Sequence, residues 1–345
     1  MGTEYAQRLT DDLAGLAAPC RDSVTAVEAR VAEILRPPGA LARLDAMAVW
    51  LAGWQRTATP AVTSPAALIF AGDHGVTADG VSAYPADVTG AMLAAFGQDK
   101  ASISAMARVA GASVRAVDVG VGRPTANIKD EPAMDEARFN ACFEIGRQEV
   151  RDLDTDLLIL GEMGIGNTTA AAAVCSMLLD TPAADMVGPG TGVTGDALAN
   201  KRAVVDQAVT RARSAGVSRD QPLETLRHLG GTELVAMAGA MFEARTRSIA
   251  ILLDGYITSS AALALHLVDA RLTENIRAGH GSAEPGHRLV LDALGMDPLL
   301  TLDFHLGEAS GAMAALPLVK MGCELVTAVP TFGEWFAMAD EPETS

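Results

Sequence analysis

The sequence predicts an α/β fold with a mainly parallel sheet and helices on both faces. Three observations lead there. Short apolar runs of strand length recur from Ala66 onward, Ala-rich segments of helical length lie between them, and each run ends in small or acidic residues. Strands that alternate with helices imply right-handed crossovers and a sheet covered on both sides.

In chain order, residues 1 to about 60 read as helical. Val24, Val27, Val31 and Ile34 recur at helical spacing behind Asp22 and Ser23, which are good N-cap types. Pro37-Pro38-Gly39 breaks the chain, and Ala40 to Trp54 supplies a second apolar helix. The strand candidates are ALIFAGDHG (67–75), SVRAVDVGVG (113–122), DLLILGEMGIGN (156–167), SIAILLDG (248–255) and LLTLDFHLGE (299–308), with DMVGPGTGV (185–193) a shorter one. Segments 89–110, 168–179 and 196–214 read as helices. From Ala309 an Ala/Leu/Met helix is interrupted by Pro317, and the polar tail after Pro330 is expected to fray. The division expected is a helical segment over 1–60, a large α/β catalytic domain over 61–308 and a C-terminal helical segment with its tail over 309–345.

Composition narrows the function. A chain of 345 residues with 49% hydrophobic and 20% charged residues is globular and can bury a large core. A net charge of -17 disfavours nucleic acid and anionic membranes as partners. Any phosphate site must then act locally, within a Debye length of about 8 Å. Cys20, Cys142, Cys175 and Cys323 form no Cys-x-x-Cys pair, which fits a reducing cytoplasm. The acidic opening MGTEYAQRLTDDLAG lacks the pattern of a signal peptide, and no run of about 18 apolar residues occurs.

The polar residues fall in one place. Asp73, His74, Asp118, Glu162, Asp254, His305 and Glu308 lie at or just past the ends of apolar runs. In an open parallel sheet those ends share one rim, where ligands bind. GEMGIGNTTAAAAV (161–174) reads as a strand, a Gly-rich turn and a helix capped by Asn167 or Thr168. Gly164 and Gly166 let the backbone approach a ligand, so this is a phosphate cradle without basic side chains. It is neither a dinucleotide fingerprint nor a Walker A sequence. GPGTGVTGDALANK (188–201) is a second Gly-rich loop, with Lys201 in the early turns of a helix. In AGDHGVTADGVSAYP (71–85), Ser82, Tyr84 and Pro85 can face a flat ring. Asp73 and His74 can begin a metal site, but no further ligand follows at metal spacing. AGHGSAEPGH (278–287) reads as a loop in which Ser282 can meet a polar ligand. Glu308, in LGEASGA, is either a helix-dipole partner or a desolvated general base.

GDHG, GVSAYP, GEMGIGNTT, GPGTG with its downstream Lys, GGTE (230–233), LLDGYITSSAAL and LGEASGA together closely resemble the nicotinate-nucleotide:dimethylbenzimidazole phosphoribosyltransferase family, from about residue 20 to 330. The resemblance implies a Rossmann-like sheet, a small helical domain built from both chain ends, a homodimer, and no metal or cofactor. It implies transfer of 5-phosphoribosyl from nicotinate mononucleotide to dimethylbenzimidazole or a related base, for the lower ligand of cobalamin. It makes Glu308 the catalytic base and Glu162 a second active-site carboxylate. Lys201 and the Gly164–Thr168 turn, with Asn167, become phosphate-binding elements, and Ser82 and Tyr84 line the aromatic pocket. Family members often carry Gln-Glu where this chain has Ala86-Asp87, which leaves the accepted base open. Three alternatives stand beside this reading: a different lower-ligand base, a metal-dependent hydrolase using Asp73, His74 and Asp254, and a non-catalytic nucleotide sensor.

Overall fold

The computed structural model describes residues 12–339, so most of the opening segment read for targeting and the last residues of the tail lie outside the described residues. Five parallel strands form the main sheet: β1 (Ala66–Gly72), β2 (Ser113–Gly120), β3 (Leu158–Met163), β4 (Ile251–Leu253) and β5 (Ile276–Ala278). Their order is β2-β1-β3-β4-β5, so the winding reverses between β1 and β3. A crevice opens at such a reversal, beyond the carboxyl ends of the strands.

Period-2 alternation sorts the central strands between two apolar layers. Leu68, Phe70, Leu158, Leu160, Ile251 and Leu253 face a core shared with the Asn167–Leu179, Thr232–Thr246 and Tyr256–Val268 helices. Ala67, Ile69, Ile159 and Leu252 face Trp50, Ile103 and the Ser310–Thr327 helix. β1 is buried at every position, whereas β2, at the edge, alternates. Ala170 to Ala173 are all buried, and these small side chains let the Asn167–Leu179 helix lie close against its neighbours.

The chain ends meet. The Arg21–Glu33 helix packs on Ala42–Gln55, which packs on Ser310–Thr327, and Val27, Ile34, Ala48, Ala52 and Val326 form a small separate core. Arg30 donates to the Val326 carbonyl at 2.6 Å and pairs with Glu334 at 2.9 Å. The tail expected to fray therefore continues into a helix, Phe332–Ala339, tied back by that ion pair. The Ser310–Thr327 helix also runs on through Pro317. Met313, Leu316, Val319 and Cys323 are buried along it, and their packing outweighs the proline's cost of about 3 kcal/mol.

Other expectations are corrected. In 299–308 only Leu300–Thr301 is strand, and it pairs with β6 (His280–Gly281) in a separate two-stranded sheet. Leu302 and Leu306 are exposed, so the run has no core to alternate against. Residues 185–193 hold the end of a short helix, Ala183–Met186, and a turn. Segment 89–110 is two helices, Val88–Gly97 and Ser102–Ala110, with Asp99 in the left-handed region between them. No helix among the described residues is long and apolar enough to cross a membrane.

Candidate active site

Three carboxylates are buried at the rim. Glu162 is the penultimate residue of β3, Asp254 follows β4, and Glu308 lies two residues before the Ser310–Thr327 helix. Glu308 and Ala309 both have left-handed backbones, at φ 59° and 65°. Asp254 fixes this turn: its Oδ1 accepts the backbone N–H groups of Gly311 at 2.7 Å and Ala312 at 3.0 Å. Close backbone approach does the rest. A Cβ on Gly307 would lie 2.4 Å from Glu162 Oε1, and one on Gly161 would lie 2.5 Å from the Ala309 nitrogen. β3 and the 307–309 turn therefore touch through glycines, and Glu162 rests against Gly307.

Burial sets the electrostatics. It raises the Glu308 carboxyl to about 7, helped by the charge of Asp254. It raises Glu162 to about 8, with Asp254, Glu233 and Glu308 adding repulsion and Asn167 opposing them. The Asn167 amide donates to Glu162 Oε2. Asp254 is also pushed up by burial, against the pull of His280 and its backbone donors. Glu308 Oε2 is buried and has no hydrogen-bond partner among the described residues. A carboxylate poised near neutrality with an unsatisfied oxygen is suited to accept a proton from a ligand.

A second cluster surrounds Lys201, which is 1% exposed. Its ammonium donates to Thr168 Oγ1 at 2.9 Å and to the Gly188 carbonyl at 3.1 Å. Burial lowers its pKa to about 8, partly offset by Glu284. Glu284 accepts the Gly190 N–H at 2.9 Å, and a Cβ on Gly190 would lie 2.6 Å from the Lys201 ammonium. The two Gly-rich loops thus meet through Lys201 and Thr168. The N-cap of the Asn167–Leu179 helix is Gly166, at φ 95°, rather than Asn167 or Thr168. Their side chains are instead turned to Glu162 and Lys201.

Ser282 belongs to a third group. Its backbone N–H and its hydroxyl reach His287 Nδ1 at 2.9 and 2.8 Å, and His287 Nε2 donates to Ser259 Oγ at 3.0 Å. Burial holds His287 neutral, at about 3. The expectation of a loop here is corrected: Pro285 begins the Pro285–Leu294 helix, which its fixed φ favours, and His287 is buried in the first turn. Ser82 shares a hydrogen bond with Thr191 at 2.9 Å, which ties the 82–84 segment to the 188–193 loop, and Tyr84 is exposed.

The remaining rim residues separate. Asp118 accepts the N–H groups of Gly120 and Val121, a turn role, and His305 is exposed. The three residues weighed for metal hydrolysis are engaged apart. Asp73 accepts from Gly122, His74 bonds Glu233, and Asp254 holds the helix start at 311–312. Glu233 lies in the GGTE motif with no role assigned to it there, Glu284 carries no signal of its own, and His280 is expected in a loop. All three are buried at this rim, and the Gly-Gly before Thr232 and the Pro after Glu284 were the available signs of helix starts.

Comparison with known proteins agrees with this geometry. A family model described as Phosphoribosyltransferase matches residues 16–335. A nicotinate-nucleotide–dimethylbenzimidazole phosphoribosyltransferase from Methylorubrum extorquens is 44% identical, with 92% of each chain covered. One from Pseudomonas aeruginosa is 41% identical, covering 94% of this chain and 97% of the relative. The crystal structure of CobT from Thermus thermophilus superposes with a TM-score of 0.86 at 37% identity, covering 91% of this chain and 98% of that one. The chain belongs to the nicotinate-nucleotide–dimethylbenzimidazole phosphoribosyltransferase family.

Proposed function

We propose that this enzyme moves 5-phosphoribose from nicotinate mononucleotide to 5,6-dimethylbenzimidazole or a related base, giving α-ribazole 5'-phosphate and nicotinate for the lower ligand of cobalamin. The observation that carries the assignment is the buried Glu308 carboxylate, with its Oε2 unpartnered among the described residues, held by a fixed turn and raised to about 7. Its relatives' names supply the substrate pair.

In this reading Glu308 takes the proton from one benzimidazole nitrogen while the other nitrogen bonds to the anomeric carbon. The bond from that carbon to the pyridinium nitrogen breaks, and its electron pair leaves with nicotinate, which needs no general acid. Attack opposite the leaving ring inverts the sugar from β to α. Alignment of the two rings supplies much of the rate, and the base adds roughly 10²–10⁴-fold. Glu162 lies beside the sugar, where a carboxylate favours oxocarbenium character. Lys201, Ser282 and the backbone N–H groups of the Gly164–Thr168 turn, with Asn167, hold the nucleotide, and Ser82 and Tyr84 flank the acceptor. An ammonium with two neutral oxygen partners has a third donor for phosphate.

The same proposal covers the assembly. The helices of 1–60 and 309–345 form a small domain beside the 61–308 catalytic domain, and the enzyme works as a cytoplasmic homodimer. Exposed Trp335, Phe336 and Met338 on the Phe332–Ala339 helix support a partner surface.

The test is a product assay with purified protein, nicotinate mononucleotide and a panel of benzimidazoles, purines and phenols. Nicotinate is expected only when an acceptor is present. Release without an acceptor would mark a hydrolase and defeat the reading.

A further inference from the structure

A buried pair that the mechanism above does not use lies under the phosphate-side turn. His74 Nε2 donates to Glu233 Oε1 at 2.6 Å, and neither side chain is exposed at all. The pair joins the loop after β1 to the first turn of the Thr232–Thr246 helix. His74 Nδ1, Glu233 Oε2 and Thr232 Oγ1 are buried without hydrogen-bond partners among the described residues. Such a pair is costly to bury, and apolar packing would stabilise the fold at least as well. Its retention calls for another role.

The surroundings indicate which role. Glycines from four segments close on the pair and on Thr232 beside it. A Cβ on Gly231 would lie 2.3 Å from His74 Cε1, and one on Gly72 would lie 2.3 Å from Thr232 Oγ1. A Cβ on Gly120 would lie 2.7 Å from the same hydroxyl. The fourth segment is the Gly164–Gly166 turn, which rides on the imidazole. A Cβ on Gly164 would lie 2.6 Å from the Gly72 carbonyl oxygen and 3.3 Å from His74 Cδ2 and Nε2, and one on Gly166 would lie 3.0 Å from Thr77 Cγ2 and 3.4 Å from His74 Cβ. Behind the ring, Thr77 Oγ1 donates to the His74 carbonyl at 2.8 Å, and Thr89 Oγ1 accepts the Ile165 N–H at 3.1 Å. Glu233 fixes the imidazole plane, and that plane is the floor on which the turn sits.

We infer that His74 and Glu233 form a positioning unit that sets the Gly164–Gly166 backbone at the geometry the nucleotide phosphate needs. This rests on the reading that the turn and Lys201 bind that phosphate. The phosphate does not react, so contacts to it are equal in ground and transition states. Loosening the floor should therefore raise KM for the nucleotide and spare kcat.

The experiment compares His74→Asn, Glu233→Gln and the double variant with Lys201→Met, all in the full chain, with thermal unfolding measured for each. Each single variant of the pair is expected to raise KM for nicotinate mononucleotide about tenfold. The KM for the acceptor and kcat should stay within about twofold, and the double variant should be no worse than the worse single. A folded variant with a lowered Tm but an unchanged nucleotide KM would show a purely structural pair and overturn the inference. A loss confined to kcat would overturn it too. If Lys201→Met raises the nucleotide KM and the pair variants do not, only this inference fails. If Lys201→Met leaves it unchanged, the phosphate-site reading fails and takes the inference with it. Should His74→Asn not fold, the nearly isosteric Glu233→Gln decides.

Discussion

Glu243 and Arg245, at the C-terminal end of the Thr232–Thr246 helix, are as buried as Glu308 and Lys201 at the rim, yet their surroundings are opposite. Glu243 takes Arg147 at 2.9 Å and Arg151 at 3.1 Å. Arg245 donates to the carbonyls of Arg271 at 2.6 Å and Ala17 at 2.9 Å, pairs with Glu274 at 3.2 Å and lies over the Trp54 ring. At the rim Lys201 has two neutral oxygens and no carboxylate in hydrogen-bond reach, while Glu308 keeps a buried oxygen without a partner among the described residues. Truncating a fully paired buried charge strands its partners, whereas buried charge left short of partners, as at Glu308 and Lys201, suits a ligand site.

The comparison can be broken at several levels. Glu308→Gln is expected to lower kcat by roughly 10²–10⁴-fold while nicotinate mononucleotide still binds, checked by steady-state kinetics beside a binding titration. A variant with full turnover would remove Glu308 from the proton transfer. The next effect is on stability. Arg245→Met should cost about 3 kcal/mol, because it strands two carbonyls and exposes the underside of Trp54 to a gap. Lys201→Met should cost less, about 1 kcal/mol or below, since it removes a desolvated charge while leaving the Gly188 carbonyl without its donor. Equal losses in chemical denaturation would erase the distinction between the two regions.

A further effect is on pH dependence. Glu308 and Glu162 bind protons more tightly folded than unfolded, where a Glu titrates near about 4.3. Their contribution to stability is therefore complete below that value and is lost as pH rises through about 7 for Glu308 and about 8 for Glu162. Turnover runs the other way, rising with pH through about 7 as the base is freed of its proton. Denaturation midpoints of parent and Glu308→Gln should lie close together at the acid end and separate as pH rises through about 7, because only the parent loses this contribution at residue 308. A parent whose stability climbs with pH over the same window would contradict the assigned burial.

How much the sequence disclosed follows from how local each signal is. β1, β3 and β4 announce themselves because a strand buried on both faces must be continuously apolar, as ALIFAG, LLILG and ILL are, whereas β2, at the edge, is read from its alternation. β5 has three residues with an arginine in the middle, so it carries no such run, and only its neighbour β4 identifies it. The opposite error arises at 299–308, where Leu302 and Leu306, on an exposed loop, imitate the continuation of a strand that ends at Thr301. Glu162 and Glu308 were legible as acids ending apolar runs. The Lys201–Thr168 contact and the His74–Glu233 pair join residues 33 and 159 positions apart, and nothing within either motif names its partner.

The paired left-handed residues at 308 and 309 carry a lesson for redesign. Each costs about 1–2 kcal/mol in a residue with a side chain, a cost that glycine would escape. Ala309 nevertheless keeps its methyl group, wedged where Gly161 leaves room for it. The bend is thereby stiff, and the main chain fixes the point from which the Glu308 side chain departs. Attempts to persuade this scaffold to accept bulkier or differently shaped heterocycles should leave that bend alone and carve the exposed segment around Tyr84.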